Sequence, residues 1–104
     1  MKHSMIRYQF ANGAEAEWRA EIARFIAALD SDPTIAGRVA YRCMKVRNEP
    51  AYYHLAVADD DDTVKALQSS EFFKRYQEAT RRVAAEGRVD VVPIDVIAET
   101  KRHA

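Results

Sequence analysis

Cysteine is nearly absent. Cys43 is the only one in 104 residues, so no internal disulfide can form, and the chain is expected in a reducing compartment, the cytoplasm. Glycine and proline are scarce, three of each. The glycine patterns of a phosphate-binding loop or a Rossmann turn do not occur, nor do a serine elbow or the paired spacing of a zinc site. No apolar run approaches the roughly 20 residues that span a bilayer. The segment after Met1-Lys2-His3 alternates in polarity instead of forming the apolar core of a secretory leader, so neither a membrane partner nor export is expected. Charge of one sign is not in excess either: 16 basic residues face 16 acidic ones. That balance argues against a nucleic-acid partner, whose phosphates call for surplus Lys and Arg. The one acidic run, Asp59 to Asp62, lacks the spacing of a calcium loop and suits a helix N-terminus, so no metal is expected.

What is present is an ordinary globular composition, 48% apolar and 31% charged, in a length suited to one domain, residues 1–104. Met5-Ile6-Arg7-Tyr8-Gln9-Phe10 alternates as a strand does. Asn12, three residues before Glu15, is placed to cap a first helix whose stripe is Trp18, Ile22, Phe25, Ile26 and Leu29. Pro33 marks its end. Residues 39–46 and 52–58 read as an antiparallel hairpin joined by a turn at 47–50. A second helical pattern follows the aspartates and runs to Gly87, with Phe72, Phe73, Tyr76, Ala79 and Val83 on one face and Ser69 or Ser70 as a cap. Residues 89–98 form a fourth strand, in which Pro93 favours an edge. Residues 101–104 are expected to fray. The order β-α-β-β-α-β is that of an α+β, ferredoxin-like fold with a four-stranded antiparallel sheet and both helices on one face.

Two short motifs carry a family resemblance. Ser70-x-x-Phe73-x-x-Tyr76 in the second helix, and Gly13-x-Glu15-x-Glu17-Trp18 where the first begins, resemble the antibiotic biosynthesis monooxygenase (ABM) family. The resemblance covers nearly the whole chain in element order and length. It implies a single ABM-like domain and a dimeric α+β barrel, in which two sheets pack face to face with the helices outside. It also implies small enzymes that oxidise phenolic or quinol substrates with O2, without metal or flavin. Two departures stand out. Leu67 occupies a position where many members carry histidine, and the third strand, His54-Leu55-Ala56-Val57-Ala58, lacks a Glu-x-Trp. No catalytic residue therefore carries over from the family.

The candidate residues come from chemistry. His54 is the one histidine within a regular element and a candidate general base, with a neighbour-satisfied strand histidine as the plainer reading. Grouping Tyr53, Leu55 and Val57 under the helices turns His54 toward the opposite face, the one expected to meet a second copy. Tyr8, Tyr41, Tyr53, Phe73 and Tyr76 are candidate lining for a pocket between sheet and helices, suited to a small planar aromatic ligand. Tyr76 is the second candidate for a catalytic role. No cofactor is expected. Haem in particular is disfavoured, because Leu67 cannot ligate iron and His54 is expected to point away. Trp18 and Cys43 read as core, and Arg81-Arg82 as a solvated face. The open sheet face, with Ala40, Met44, Ala56, Val92, Ile94 and Val96 beside Arg42 and His54, calls for burial against a second copy. Two functions fit: a cofactor-independent monooxygenase acting on a small aromatic or quinol, or a non-catalytic ligand-binding or interaction protein on the same fold.

Overall fold

A computed structural model describes residues 1–101, and the expected fraying of the tail falls, from residue 102 on, outside them. Strand β1 spans Lys2–Gln9, helix α1 Glu15–Ser31, β2 Val39–Lys45, β3 Ala51–Ala58, α2 Asp61–Ser69, α3 Glu71–Val83 and β4 Asp90–Ile94. The four strands form one antiparallel sheet in the order β2-β3-β1-β4. This is the ferredoxin-like arrangement read from the sequence, and Pro93 lies on an edge strand, the position that its missing N–H favours.

Helix α1 buries Trp18, Ile22, Phe25 and Leu29 against the sheet, as its periodicity requires. Its start differs from expectation. Ala14 holds the N-cap position with no side-chain bond, and the Asn12 amide instead donates to the carbonyls of Arg82 and Ala84, at 3.2 and 3.3 Å. Asn12 thereby ties the end of β1 to the end of α3. In the hairpin turn, Asn48 takes φ 64, a left-handed conformation that asparagine tolerates well.

The second helical stretch is two helices. Asp60 caps α2, accepting from the Thr63 amide at 2.8 Å and the Thr63 hydroxyl at 2.7 Å, so the acidic run does serve a helix N-terminus. The chain then leaves helical geometry at Ser70 (φ −74, ψ 142) and restarts as α3. Ser70 stands at the N-cap, but its hydroxyl donates back to the Leu67 carbonyl at 2.7 Å and caps nothing. Helix α3 ends at Val83, short of the expected stop at Gly87: Ala84 already leaves helical geometry (ψ 143), and a short 3-10 turn then carries the chain to Gly87 at φ +67.

The main correction concerns which residues of β3 face the helices. His54 pairs opposite Ile6 and Cys43, whereas Tyr53 pairs opposite Arg7 and Met44. Directly paired residues share a face. Tyr52, His54, Ala56 and Ala58 therefore lie under the helices, while Tyr53, Leu55 and Val57 lie on the open face. His54 is completely buried and Tyr53 is 37% exposed. The expected open face keeps Ala40, Arg42, Met44, Val92 and Ile94, loses Ala56 and His54, and gains Met5, Leu55 and Val57. Val96 lies beyond the end of β4.

Candidate functional site: a tyrosine–histidine cluster beneath a cavity

His54 is held in the middle of β3 and meets three tyrosine hydroxyls from three other elements. Tyr8 of β1 lies 2.8 Å from Nε2, and Tyr41 of β2 and Tyr76 of α3 lie 2.6 and 3.1 Å from Nδ1. Trp18 of α1 donates its Nε1–H to the Tyr8 hydroxyl at 2.8 Å. Ring packing fixes these positions. Tyr76 is stacked on Phe25 with centroids 3.8 Å apart and on Trp18 at 5.7 Å, and Tyr41 meets Phe25 edge-on at 5.0 Å.

Donor accounting sets the direction of this network. Tyr8 already accepts from Trp18, and among the described residues the only acceptor near its own proton is His54 Nε2. The tautomer that satisfies every deeply buried donor therefore carries its proton on Nδ1, facing Tyr41 and Tyr76. The opposite tautomer would leave the Tyr8 O–H without an acceptor in the core. Burial pushes the His54 pKa down to about 4, so the ring is neutral near pH 7. Burial likewise raises the hydroxyl pKa values of Tyr8, Tyr41 and Tyr76. Tyr52, stacked beside Tyr8, has a buried hydroxyl with no hydrogen bond of ordinary geometry among the described residues; the exposed Arg19 guanidinium is its polar neighbour. Burial raises its pKa and the Arg19 guanidinium pulls it partly back.

A cavity of about 230 Å³ opens above the cluster, between the sheet and helices α2 and α3. Tyr41, His54 and Tyr76 line it together with Ala56, Leu67 and Phe73. The side chains of β3 shrink along this face, from Tyr52 through His54 to Ala56 and Ala58, and the two alanines leave the space. Lys2, Gln68, Gln77 and Arg81 stand at the mouth, all exposed.

Of the lining read from the sequence, Tyr41, Phe73 and Tyr76 are in place. Tyr8 lies one layer deeper, behind His54, and Tyr53 is on the other side of the sheet. His54, expected to point away, lines the cavity. Its direction thus no longer argues against haem; both ring nitrogens are instead engaged by hydroxyls. Among the described residues no three His, Cys, Asp or Glu side chains converge as for a metal ion. Cys43 is half-buried, and burial pushes its thiol up to about 11, which fits an unreactive packing role. Sequence reasoning missed Gln77, Thr80 and Arg81 as lining. Their signal was the helix period itself, which continues from Phe73 and Tyr76 at three- and four-residue steps.

No protein-family model and no curated protein matches the chain by sequence. Its structure does match solved ones. SnoaB, a cofactor-independent oxygenase from Streptomyces nogalater, superposes with a TM-score of 0.74 over 97% of this chain and 98% of its own, at 19% identity. A putative antibiotic biosynthesis monooxygenase from Caulobacter crescentus gives 0.76 over 93% and 90%, at 15% identity. Another from Deinococcus radiodurans gives 0.75 over the whole of both chains, at 8% identity. The chain has the fold of the antibiotic biosynthesis monooxygenases, the fold its two short motifs pointed to. Among the described residues no helix is long and apolar enough to cross a membrane.

Proposed function

We propose that this protein binds a small planar phenolic or quinol-type aromatic in the cavity above His54 and oxidises it with O2 as a cofactor-independent monooxygenase. The observation that carries this reading is the Tyr41–His54–Tyr76 cluster at the floor of a largely apolar cavity. Apolar walls receive a ring and the hydroxyls orient its oxygen. The ligand itself supplies the electrons that reduce O2. The protein acts as one domain, residues 1–104, in the cytoplasm. It works as a homodimer in which Met5, Met44, Leu55, Val57, Val92 and Ile94 meet the same face of a second copy.

One observation favours a second reading, a ligand-binding protein without chemistry. The cavity-side nitrogen of His54 carries a proton and its other nitrogen accepts from Tyr8, so His54 has no free lone pair with which to act as a base on the ligand. The test is O2 consumption by chelator-treated protein presented with a panel of quinols and polyphenols. Turnover is expected, lowered in Tyr76→Phe. Tight binding of panel members without O2 uptake would leave the second reading in place of the first.

A further inference from the structure

The donor count at the cavity floor says which form of a ligand oxygen the site takes. Three protons point into this region: His54 Nδ1–H and the hydroxyl protons of Tyr41 and Tyr76. Two oxygens, those of Tyr41 and Tyr76, are there to accept them. One proton is always left over. The Tyr41 and Tyr76 oxygens stand 3.5 Å apart, beyond the usual O–H···O range, so both hydroxyls can turn toward the cavity while His54 holds them from behind. A neutral phenol would bring a fourth proton to a floor already in surplus. An oxygen that only accepts would use both hydroxyls. The lining agrees in charge: it includes Lys2 and Arg81, and none of the described residues that line it is acidic.

We propose that Tyr41 and Tyr76 form a two-donor oxyanion site, so that the cavity takes its aromatic ligand as a phenolate or enolate in preference to the neutral hydroxyl form. This rests on the reading of the cavity as an aromatic-binding site and adds the ionisation state of the bound ligand. Fixed donors aimed at one oxygen in a dry cavity stabilise charge there far more than water-exposed donors do. His54 acts as a positioning residue: its Nδ1–H, directed by Tyr8 and Trp18, supplies the hydrogen bond that lets both hydroxyl protons face outward.

The experiment uses 4-nitrophenol, whose neutral and ionised forms absorb at different wavelengths, and 4-nitrotoluene, a similar ring without the hydroxyl. Absorbance titration against pH gives the ionisation midpoint of bound 4-nitrophenol, and equilibrium dialysis gives the affinity for each probe. The anion is expected to bind at least about tenfold more tightly than the neutral form, which lowers the midpoint by about one pH unit. Tyr41→Phe and Tyr76→Phe, which keep the rings, should each reverse most of that shift and change 4-nitrotoluene affinity far less than affinity for the 4-nitrophenol anion. Tyr41 is the less buried of the two, so its variant serves if the other fails to fold. An unshifted or raised midpoint in the unaltered protein overturns the proposal. So does a shift that survives in the tyrosine variants, which would trace it to Lys2 and Arg81. Where 4-nitrotoluene still binds in these cases, the aromatic-binding reading stands without the oxyanion site. Binding of neither probe overturns both.

Discussion

Removing one oxygen atom, in Tyr8→Phe, tests the cluster directly. The Tyr8 hydroxyl is the sole acceptor for Trp18 Nε1–H and the sole donor to His54 Nε2, each at 2.8 Å, and all three residues are buried. The substitution leaves a buried indole N–H and a buried imidazole lone pair without partners. A buried group deprived of its partner costs about 1–3 kcal/mol, so two of them give a loss of about 2–6 kcal/mol. For a domain of this size that lowers the thermal midpoint by on the order of 10 °C or more. The neighbouring ring provides the control. Tyr52 is equally buried and lies nearly parallel to Tyr8, with centroids 5.4 Å apart, but its hydroxyl makes no well-formed hydrogen bond among the described residues and faces the exposed Arg19 guanidinium. Tyr52→Phe should therefore change stability by no more than about 0.5 kcal/mol, because it removes a hydroxyl whose polar neighbour is the solvent-exposed Arg19 guanidinium. Urea unfolding followed by far-ultraviolet circular dichroism, at one fixed protein concentration, compares the two. Equal losses in both variants would mean that the Tyr8 hydroxyl contributes no more than the Tyr52 hydroxyl does, and the tautomer assignment would fall with the directed hydrogen bonds.

Three further outcomes follow from the same geometry. The His54 pKa lies at about 4 in the folded protein against an ordinary value near 6.5, so the unfolded chain binds the extra proton first as pH falls. Stability contributed by neutral His54 is complete above pH 6.5 and lost on descending to about 4, a loss on the order of 3 kcal/mol. Urea midpoints measured from pH 7 to pH 5 should fall, and His54→Gln should flatten that slope; an unchanged slope would remove His54 as its source. Ala56→Leu projects extra carbons from the sheet into the cavity, so affinity for 4-nitrotoluene should drop at least tenfold with the fold retained; unimpaired binding would place the ligand elsewhere. Leu55→Glu puts a charge at the centre of the open face and should convert a dimer to a monomer in light scattering. A monomer mass for the unaltered protein would remove the homodimer.

The strands, the helix faces and the sheet edge were legible because their signals are local: alternation in β1, the Trp18-to-Leu29 stripe, the proline in β4. The face of β3 was not. Ala51-Tyr52-Tyr53-His54-Leu55-Ala56-Val57-Ala58 is apolar at both parities, and placing the bulkier set, Tyr53, Leu55 and Val57, under the helices follows from size alone. The structure does the reverse, because a cavity needs small side chains on its own side. The break at Ser70 was hidden for a related reason. Serine favours a helix N-terminus, so Ser70 marked a start, but the apolar period continues across the break and merges α2 and α3 into one pattern. The site was half legible. Tyr41, Phe73 and Tyr76 share one apparent pocket set, but the residue joining the tyrosines is His54, whose partners lie on three other elements.

Those separations also say when the cluster forms. The hydrogen bonds to His54 close sequence gaps of 46, 13 and 22 residues, and they draw on β1, β2, β3 and α3 together. Closing such loops carries an entropic penalty before any contact compensates for it, and the full set of bonds needs all four elements in place, so it is expected to complete only after the sheet has paired and α3 has docked. Interactions absent from the folding transition state act on escape from the native state rather than on entry to it. The buried imidazole is thus expected to act as a latch: a variant that loosens it should speed unfolding more than it slows refolding, which urea-jump kinetics on His54→Gln would check.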